Sequence, residues 1–151
     1  MIDYNPLKDK IKSHEGYRDI VYKDHLMNST IGYGHLCRKD EVWINDKKYS
    51  RKTLEKVFEY DFNKAVEQTN SLLKSKLNVT KDTFNKDAYF VLIEMIFQLG
   101  IGNVKKFKRM ISALDNQNWR LASKEMLSSR WANQTPQRAY KLSETMSNIS
   151  A

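Results

Sequence analysis

The segment from Ala88 to Leu99 constrains the fold more than any other part of this chain, because it is apolar on nearly every helical face. A helix of that kind has to be buried on all sides. We therefore expect it to be the central helix of a helical lobe, ended by Gly100 and Gly102. The chain has 151 residues and one cysteine, Cys37, so its core has to form without an internal disulfide.

Further helices are indicated by apolar spacing and capping residues. Leu7, Ile11 and His14 predict a helix over residues 5 to 15, with Gly16 as its stop signal. Ser50 is a good N-cap for a long helix reaching about Lys74, which is long enough to join two lobes. The remaining helices are expected at 104 to 114, at 119 to 128, and after Thr135-Pro136, which pairs an N-cap with a proline.

Between Tyr17 and His35 the pattern changes from helical to extended. Ile20 and Tyr22 alternate with polar residues, a polar turn follows at Asn28-Ser29, and Thr30 to Gly34 returns as a second strand. A β-hairpin is the simplest interpretation. The stretch from Glu41 to Tyr49, with an Asn45-Asp46 turn, could add more extended structure.

The charge balance narrows the possible partners. The chain carries 26 Lys and Arg against 18 Asp and Glu, which predicts attraction to polyanions. No RNA-binding aromatic motif, zinc-finger spacing or basic amphipathic anchor supports nucleic acid or a membrane surface as the target. The densest basic run, Lys105 to Arg109, is typical of a solvated helix face. The charged N-terminus predicts no secretory signal peptide, and no run of 18 apolar residues predicts a membrane span.

Two acids stand where side chains can project into a cleft. A glycosidase needs two carboxylates, one protonated and one ionised, on either side of the bond that it cuts. Glu15 ends a predicted helix beside Gly16, and Asp24 ends a predicted strand before the turn. With 18 acids in the chain, each of the two, taken alone, is more consistent with a surface position than with catalysis.

Three sequence blocks resemble the phage T4-type lysozyme family. The first has a Glu at 15, an Asp at 24 and a Thr at 30, followed by Gly-Tyr-Gly-His ending at His35. The second is Phe97-Gln-Leu-Gly100 with Val104 and Phe107, and the third runs from Ser129 to Ala139 as SRWANQTPQRA. The blocks keep the family's order and nearly its spacing, so the resemblance covers almost the whole chain.

The resemblance implies an α+β, mainly helical, two-lobed lysozyme fold with the active cleft between the lobes. The N-terminal lobe, about residues 12–60, would hold the small antiparallel sheet. A long helix would join it to a helical C-terminal lobe of about 75–151 together with the N-terminal helix. On this mapping Glu15 donates the proton, Asp24 is the base that orients the attacking water, and Thr30 helps to hold that water. Such an inverting enzyme keeps its carboxyls about 6.5–9.5 Å apart.

Other family positions suggest substrate contacts and supporting roles. Leu36 and Phe97 match sugar contacts, whereas Met110 and Glu125 depart from the polar residues usual at two further contacts. His35 could be a base or a metal ligand, but we expect it to pair with Asp61 on the long helix and to stabilise the fold. Trp131 is expected to pack in the core. Arg138 matches a residue that orients the catalytic glutamate.

Glu94 is the one acid in the apolar segment, and a buried carboxylate calls for a partner. Glu94 could reach solvent along one helix edge. Alternatively it could compete with Glu15 for Arg138, which would keep Glu15 protonated toward higher pH.

Taken together, these features predict a monomeric peptidoglycan hydrolase that needs no metal or other cofactor. It would cleave between N-acetylmuramic acid and N-acetylglucosamine. We expect a phage lysin that stays in the host cytoplasm until a separate holin pore releases it to the periplasm and cell wall. The alternatives are the same fold acting on chitin or as a transglycosylase, a phage tail-borne or structural wall-binding protein, and, on charge alone, a DNA-binding module.

Overall fold

The computed structural model describes residues 1–150 and divides the chain into two compact units, Met1–Lys64 and a second that begins at Ala65. The described residues form eight α-helices and one three-stranded sheet, which confirms the predicted α+β, mainly helical class. In chain order the elements are α1 Asn5–Glu15, β1 Arg18–Lys23, β2 Ser29–Gly32, β3 His35–Leu36, α2 Arg51–Leu72 followed directly by a π-helical segment Leu73–Leu77, α3 Lys86–Leu99, α4 Ile101–Val104, α5 Lys108–Asp115, α6 Trp119–Leu127, α7 Arg130–Gln134 and α8 Pro136–Ser147.

Helix α1 has the predicted limits. Leu7 and Ile11 are buried one turn apart, and Gly16 ends the helix with a positive φ of 73° while its N–H donates to the carbonyl of Lys12. A residue with a side chain would adopt that backbone conformation only at a cost, so glycine suits the position. Glu15 is therefore the last helical residue.

The sheet is antiparallel and has one more strand than the sequence predicts. Strand β1 pairs with β2, and β2 pairs with β3. We expected the second strand to run from Thr30 to Gly34, but it ends at Gly32. Gly32 and Gly34 both have positive φ, which turns the chain and lets His35 pair back with Ile31. The short third strand was missed because two glycines within three residues were interpreted as part of a strand.

Residues 41–49 do not add a strand, so that expectation was wrong, although the predicted turn at Asn45-Asp46 is present and Asp46 has φ 64°. The loop is organised by side chains instead of a backbone ladder. The rings of Trp43 and Tyr49 contact edge to face at 4.9 Å, and the Tyr49 hydroxyl accepts the N–H of Ile44 at 2.9 Å. In a strand, the N–H of Ile44 would bond to a neighbouring strand; here the Tyr49 hydroxyl accepts that hydrogen bond instead.

The second unit is built around α3, as predicted. Eight of its 14 residues are buried, and the Asn85 side chain caps its N-terminus by accepting from the N–H of Ala88. The helix expected at 104–114 begins later, because Val104 ends α4 and residues 105–107 form a turn. Thr135 occupies the predicted N-cap position of α8, but its hydroxyl donates to the carbonyl of Trp131 instead of capping.

None of the helices within residues 1–150 combines the length and the apolar character that crossing a membrane requires.

Candidate active site

Glu15 is positioned by the end of α1 and by the turn between β2 and β3. It is half-buried, and Gly34 lies directly against its carboxylate: a Cβ on Gly34 would lie only 2.5 Å from Glu15 Oε1. The carboxyl end of a helix carries partial negative charge, which favours the neutral form of an acid placed there. The helix end and the adjacent turn thus fix where the Glu15 carboxyl lies.

Asp24 follows β1 and closes the hairpin loop with its own side chain. Its Oδ1 accepts the N–H of Asn28 at 2.8 Å and the N–H of Leu26 at 2.9 Å. The bond from the Asn28 backbone is the main cause of a lowered pKa for Asp24, and it outweighs the opposing effect of partial burial. Asp24 is thus held as an anion at neutral pH, as a general base requires.

Thr30 lies on β2 with only 2% of its surface exposed, and its hydroxyl donates to the carbonyl of Asn28 at 2.9 Å. That bond uses the hydroxyl's hydrogen and leaves its oxygen able to accept one. Asn28 thus contacts both Asp24 and Thr30, which links the two predicted water-handling residues through one loop.

Tyr22 is the cross-strand partner of Thr30, and sequence reasoning gave it no role at the site. Its ring lies under the guanidinium of Arg18, whose central carbon is 4.5 Å from the ring centroid. Burial raises the pKa of Tyr22; the nearby charge of Arg18 lowers it, and those of Glu15 and Asp24 raise it further. The phenol therefore lies within electrostatic range of both carboxylates.

His35 is the centre of a three-residue ion cluster. Its Nδ1 is 2.7 Å from Asp61 Oδ2, as predicted, and its Nε2 is 2.9 Å from Glu41 Oε1, which the sequence did not predict. Burial alone would lower the pKa of His35, but the bonds to Asp61 and Glu41 raise it above its ordinary value. An acid thus lies on each ring nitrogen, so both nitrogens are occupied by hydrogen bonds, and the structural role of His35 stays a prediction.

Glu41 is in turn fixed by the loop that it closes. Its Oε1 accepts the N–H of Arg38 at 2.8 Å. Burial by itself would raise the pKa of Glu41, but the Arg38 N–H and His35 together lower it. Glu41 therefore ties the irregular segment after β3 to the buried histidine.

In the second unit, Glu94 and Arg138 form a buried pair, with 2.9 Å between Arg138 Nε and Glu94 Oε2. Glu94 is fully buried, so the alternative in which it reaches solvent along a helix edge is wrong. The partner expected for the buried acid is confirmed as Arg138. Its effect on Glu15 stays a prediction.

The two expected sugar contacts both have accessible surface. Leu36 is 53% exposed and Phe97 is half-buried. Next to Phe97, the amide of Gln98 accepts from the indole N–H of Trp131 and donates to the Thr135 hydroxyl. Trp131 itself is buried, as predicted.

Met110 and Glu125, which replace the polar residues usual at two sugar contacts of the family, differ in solvent exposure. Met110 is completely buried, so it is a core residue here, whereas Glu125 is half-buried. The described residues contain no cluster of three His, Cys, Asp or Glu side chains that could hold a metal ion.

The structure thus places Asp24 in the loop between β1 and β2, Thr30 on β2 next to that loop and Glu15 against the turn between β2 and β3, so that all three adjoin the small antiparallel sheet of a mainly helical chain. A carboxylic acid at a helix end and a carboxylate fixed as an anion are features of a glycoside hydrolase site.

Comparison with known proteins identifies the family. The family model for phage lysozyme matches residues 12–145. "Probable T4-type lysozyme 2" of Dictyostelium discoideum is 31% identical, with 90% of each chain covered, and "Probable T4-type lysozyme 1" of the same organism is 30% identical with the same coverage. "Pre-baseplate central spike protein Gp5" of Enterobacteria phage T4 is 32% identical over 93% of this chain but only 28% of its own length. The chain belongs to the phage lysozyme family and is a glycoside hydrolase of the lysozyme type.

Proposed function

We propose that this enzyme hydrolyses the β-1,4 bond between N-acetylmuramic acid and N-acetylglucosamine in peptidoglycan with inversion at the anomeric carbon. The observation that supports this most directly is the contrast between the two acids. Asp24 receives two backbone N–H bonds that favour its charged form, whereas Glu15 stands at the negative end of α1. Contrasting environments of this kind assign one acid as donor and the other as base.

In this mechanism Glu15 gives its proton to the glycosidic oxygen as the bond to the leaving sugar breaks. A water on the opposite face of the ring attacks the anomeric carbon and loses a proton to Asp24. The oxygen of Thr30 accepts a hydrogen bond from the water's other O–H, which stays on the new anomeric hydroxyl, because the Thr30 hydroxyl already donates its own hydrogen to the carbonyl of Asn28. Leu36 and Phe97 are proposed to contact the sugars.

The decisive experiment combines Glu15→Gln, Asp24→Asn and an anomer assay on purified sacculi. Each variant keeps shape and hydrogen bonding, so each should fold normally and lose at least about 100-fold in rate. Proton NMR of fresh products from the wild type should show inverted configuration. Retained configuration would mean that Asp24 acts as a nucleophile, and normal turnover by Glu15→Gln would remove Glu15 as the acid.

We propose host-cell lysis by a phage lysin, released through a separate holin pore, as the biological role. The similarity to a tail spike protein favours a second candidate, a tail-borne lysozyme that opens the wall on entry. The two roles differ in where the protein is found: a lysin is free in the infected cell, whereas a tail enzyme sediments with intact particles.

A further inference from the structure

The turn between α4 and α5, together with the first two residues of α5, carries the densest positive charge in the chain. Within residues 105–109, four of the five side chains are cationic and all four are exposed: Lys105, Lys106, Lys108 and Arg109. We call this set the basic turn. None of its members forms an ion pair with a residue in the described part of the chain, although Lys105 shares the rim of a shallow depression with Glu67.

The net positive charge is distributed unevenly along the chain, because the acids are fewer in its second part. Residues 1–64 hold 13 Lys and Arg against 11 acids, and several of their cations are paired, as in Lys8–Glu59 and Lys12–Glu55. Residues 65–151 hold 13 against seven. The basic turn is therefore the densest part of an excess that internal ion pairs do not neutralise.

The backbone of the basic turn is fixed by buried neighbours. Val104 and Met110 are completely buried on either side of it, and Phe107 in its middle contacts the ring of Trp131 edge to face at 6.2 Å. The N–H groups of Lys106 and Phe107 donate to Asn103 and Val104, respectively. A docking surface held in this way has less conformational entropy to lose on binding than a flexible tail.

The N-terminus of α5 also favours the binding of an anion at the basic turn. Helix α5 begins at Lys108, has no acidic residue in its first turn and has no side-chain cap from Phe107. Lys108 and Arg109 thus lie at the positive end of a helix dipole, where cations are unfavourable. A negatively charged group on this surface would relieve both the cation repulsion and the uncapped helix end.

We propose that the basic turn docks the enzyme on the carboxylate groups of peptidoglycan peptide stems. This rests on the proposed function, in which peptidoglycan is the substrate. The stems are the part of that polymer that carries repeated free carboxylates, and cationic side chains pair with such groups. The basic turn then holds the enzyme on the insoluble wall between cleavage events, while the hairpin residues cut the sugar chain.

The test measures binding to purified sacculi by sedimentation, in the Glu15→Gln background so that the wall stays intact. One variant replaces all four cations of the basic turn by Gln. A matched control removes the same charge from exposed lysines elsewhere in the second unit: Lys74, Lys76, Lys124 and Lys141. Because four exposed charge contacts of modest strength are lost, the basic-turn variant should bind about tenfold more weakly, and the control should bind nearly normally.

Two further arms identify the chemistry. Sacculi whose carboxyls are amidated should bind the parent and the basic-turn variant equally, and so should native sacculi in about 0.5 M NaCl, where exposed charges are screened. Replacing the three lysines by Arg should keep binding. Equal loss in the matched control would show that only overall charge matters, and an undiminished difference on amidated sacculi would exclude the carboxylates.

A failure of the proposed function would be distinguished from a failure of this proposal by digestion: wild-type enzyme would then leave the sacculi undigested, however strongly it bound them.

Discussion

Replacing Gly34 by Ala tests whether the hairpin holds Glu15 in place. The added Cβ would lie 2.5 Å from Glu15 Oε1 and 3.1 Å from its Cδ. To restore ordinary contact, the carboxylate would have to retreat by about 1 Å. A misplacement of that size in a catalytic group lowers the rate by roughly 100-fold. The backbone at Gly34 also has φ 74°, so alanine there should cost a further ~1–2 kcal/mol of unfolding free energy.

The chain offers a control that separates backbone strain from the clash. Gly100 has φ 84° and no atom within 4 Å of an added Cβ. Gly100→Ala should therefore also lose stability, measured by urea unfolding, and keep its rate of sacculus digestion. If Gly34→Ala digested sacculi as fast as Gly100→Ala, the contact with Glu15 would not position the acid.

The remaining predictions concern the buried ion clusters. Asp61→Asn should lower the free energy of unfolding by about 3 kcal/mol below pH 6.5, because it breaks the largely buried pair with His35. Since the pKa of His35 is raised, this loss should shrink as the pH rises through that raised pKa. A difference in melting temperature that stays constant with pH would contradict the prediction. Glu41→Gln should destabilise the protein above the ordinary pKa of 4.5, and the effect should fade in melts as pH falls through the lowered pKa of Glu41. Glu94→Gln should lower the free energy of chemical unfolding by about 3 kcal/mol, because it weakens the buried bond to Arg138. The basic limb of its pH–rate profile should lie at lower pH than that of the wild type. An unmoved limb would mean that Glu94 is purely structural.

Local sequence signals predicted the helices well where periodicity and caps agreed. Leu7, Ile11 and Gly16 fixed the extent of α1, and Ser50 began α2 as expected, with its hydroxyl accepting the N–H of Thr53. The third strand was missed because its pairing depends on positive φ at Gly32 and Gly34, which a glycine permits without requiring.

The missed site residues share a physical cause. Glu41 is six residues from His35 in sequence and reaches it only because the loop after β3 folds back. No periodicity marks such a contact. Tyr22 could have been identified, since hairpin pairing places it opposite Thr30 once the register is known. The close approach of Gly34 to Glu15 depends on the folded chain, and no local sequence pattern indicates it.

In the loop closed by Asp24, one side chain has both a structural role and a proposed catalytic role. Both backbone N–H bonds end on Oδ1, so the hairpin depends on this residue for its shape as well as for its chemistry. Selection for a foldable hairpin would keep an acceptor at this position in a descendant that no longer cut sugars. Glu15 ends α1 and lies outside this loop, so among related chains the glutamate is the more sensitive indicator of activity. A relative that retains the aspartate and has lost the glutamate would be a folded binder of cell walls that no longer cleaves them.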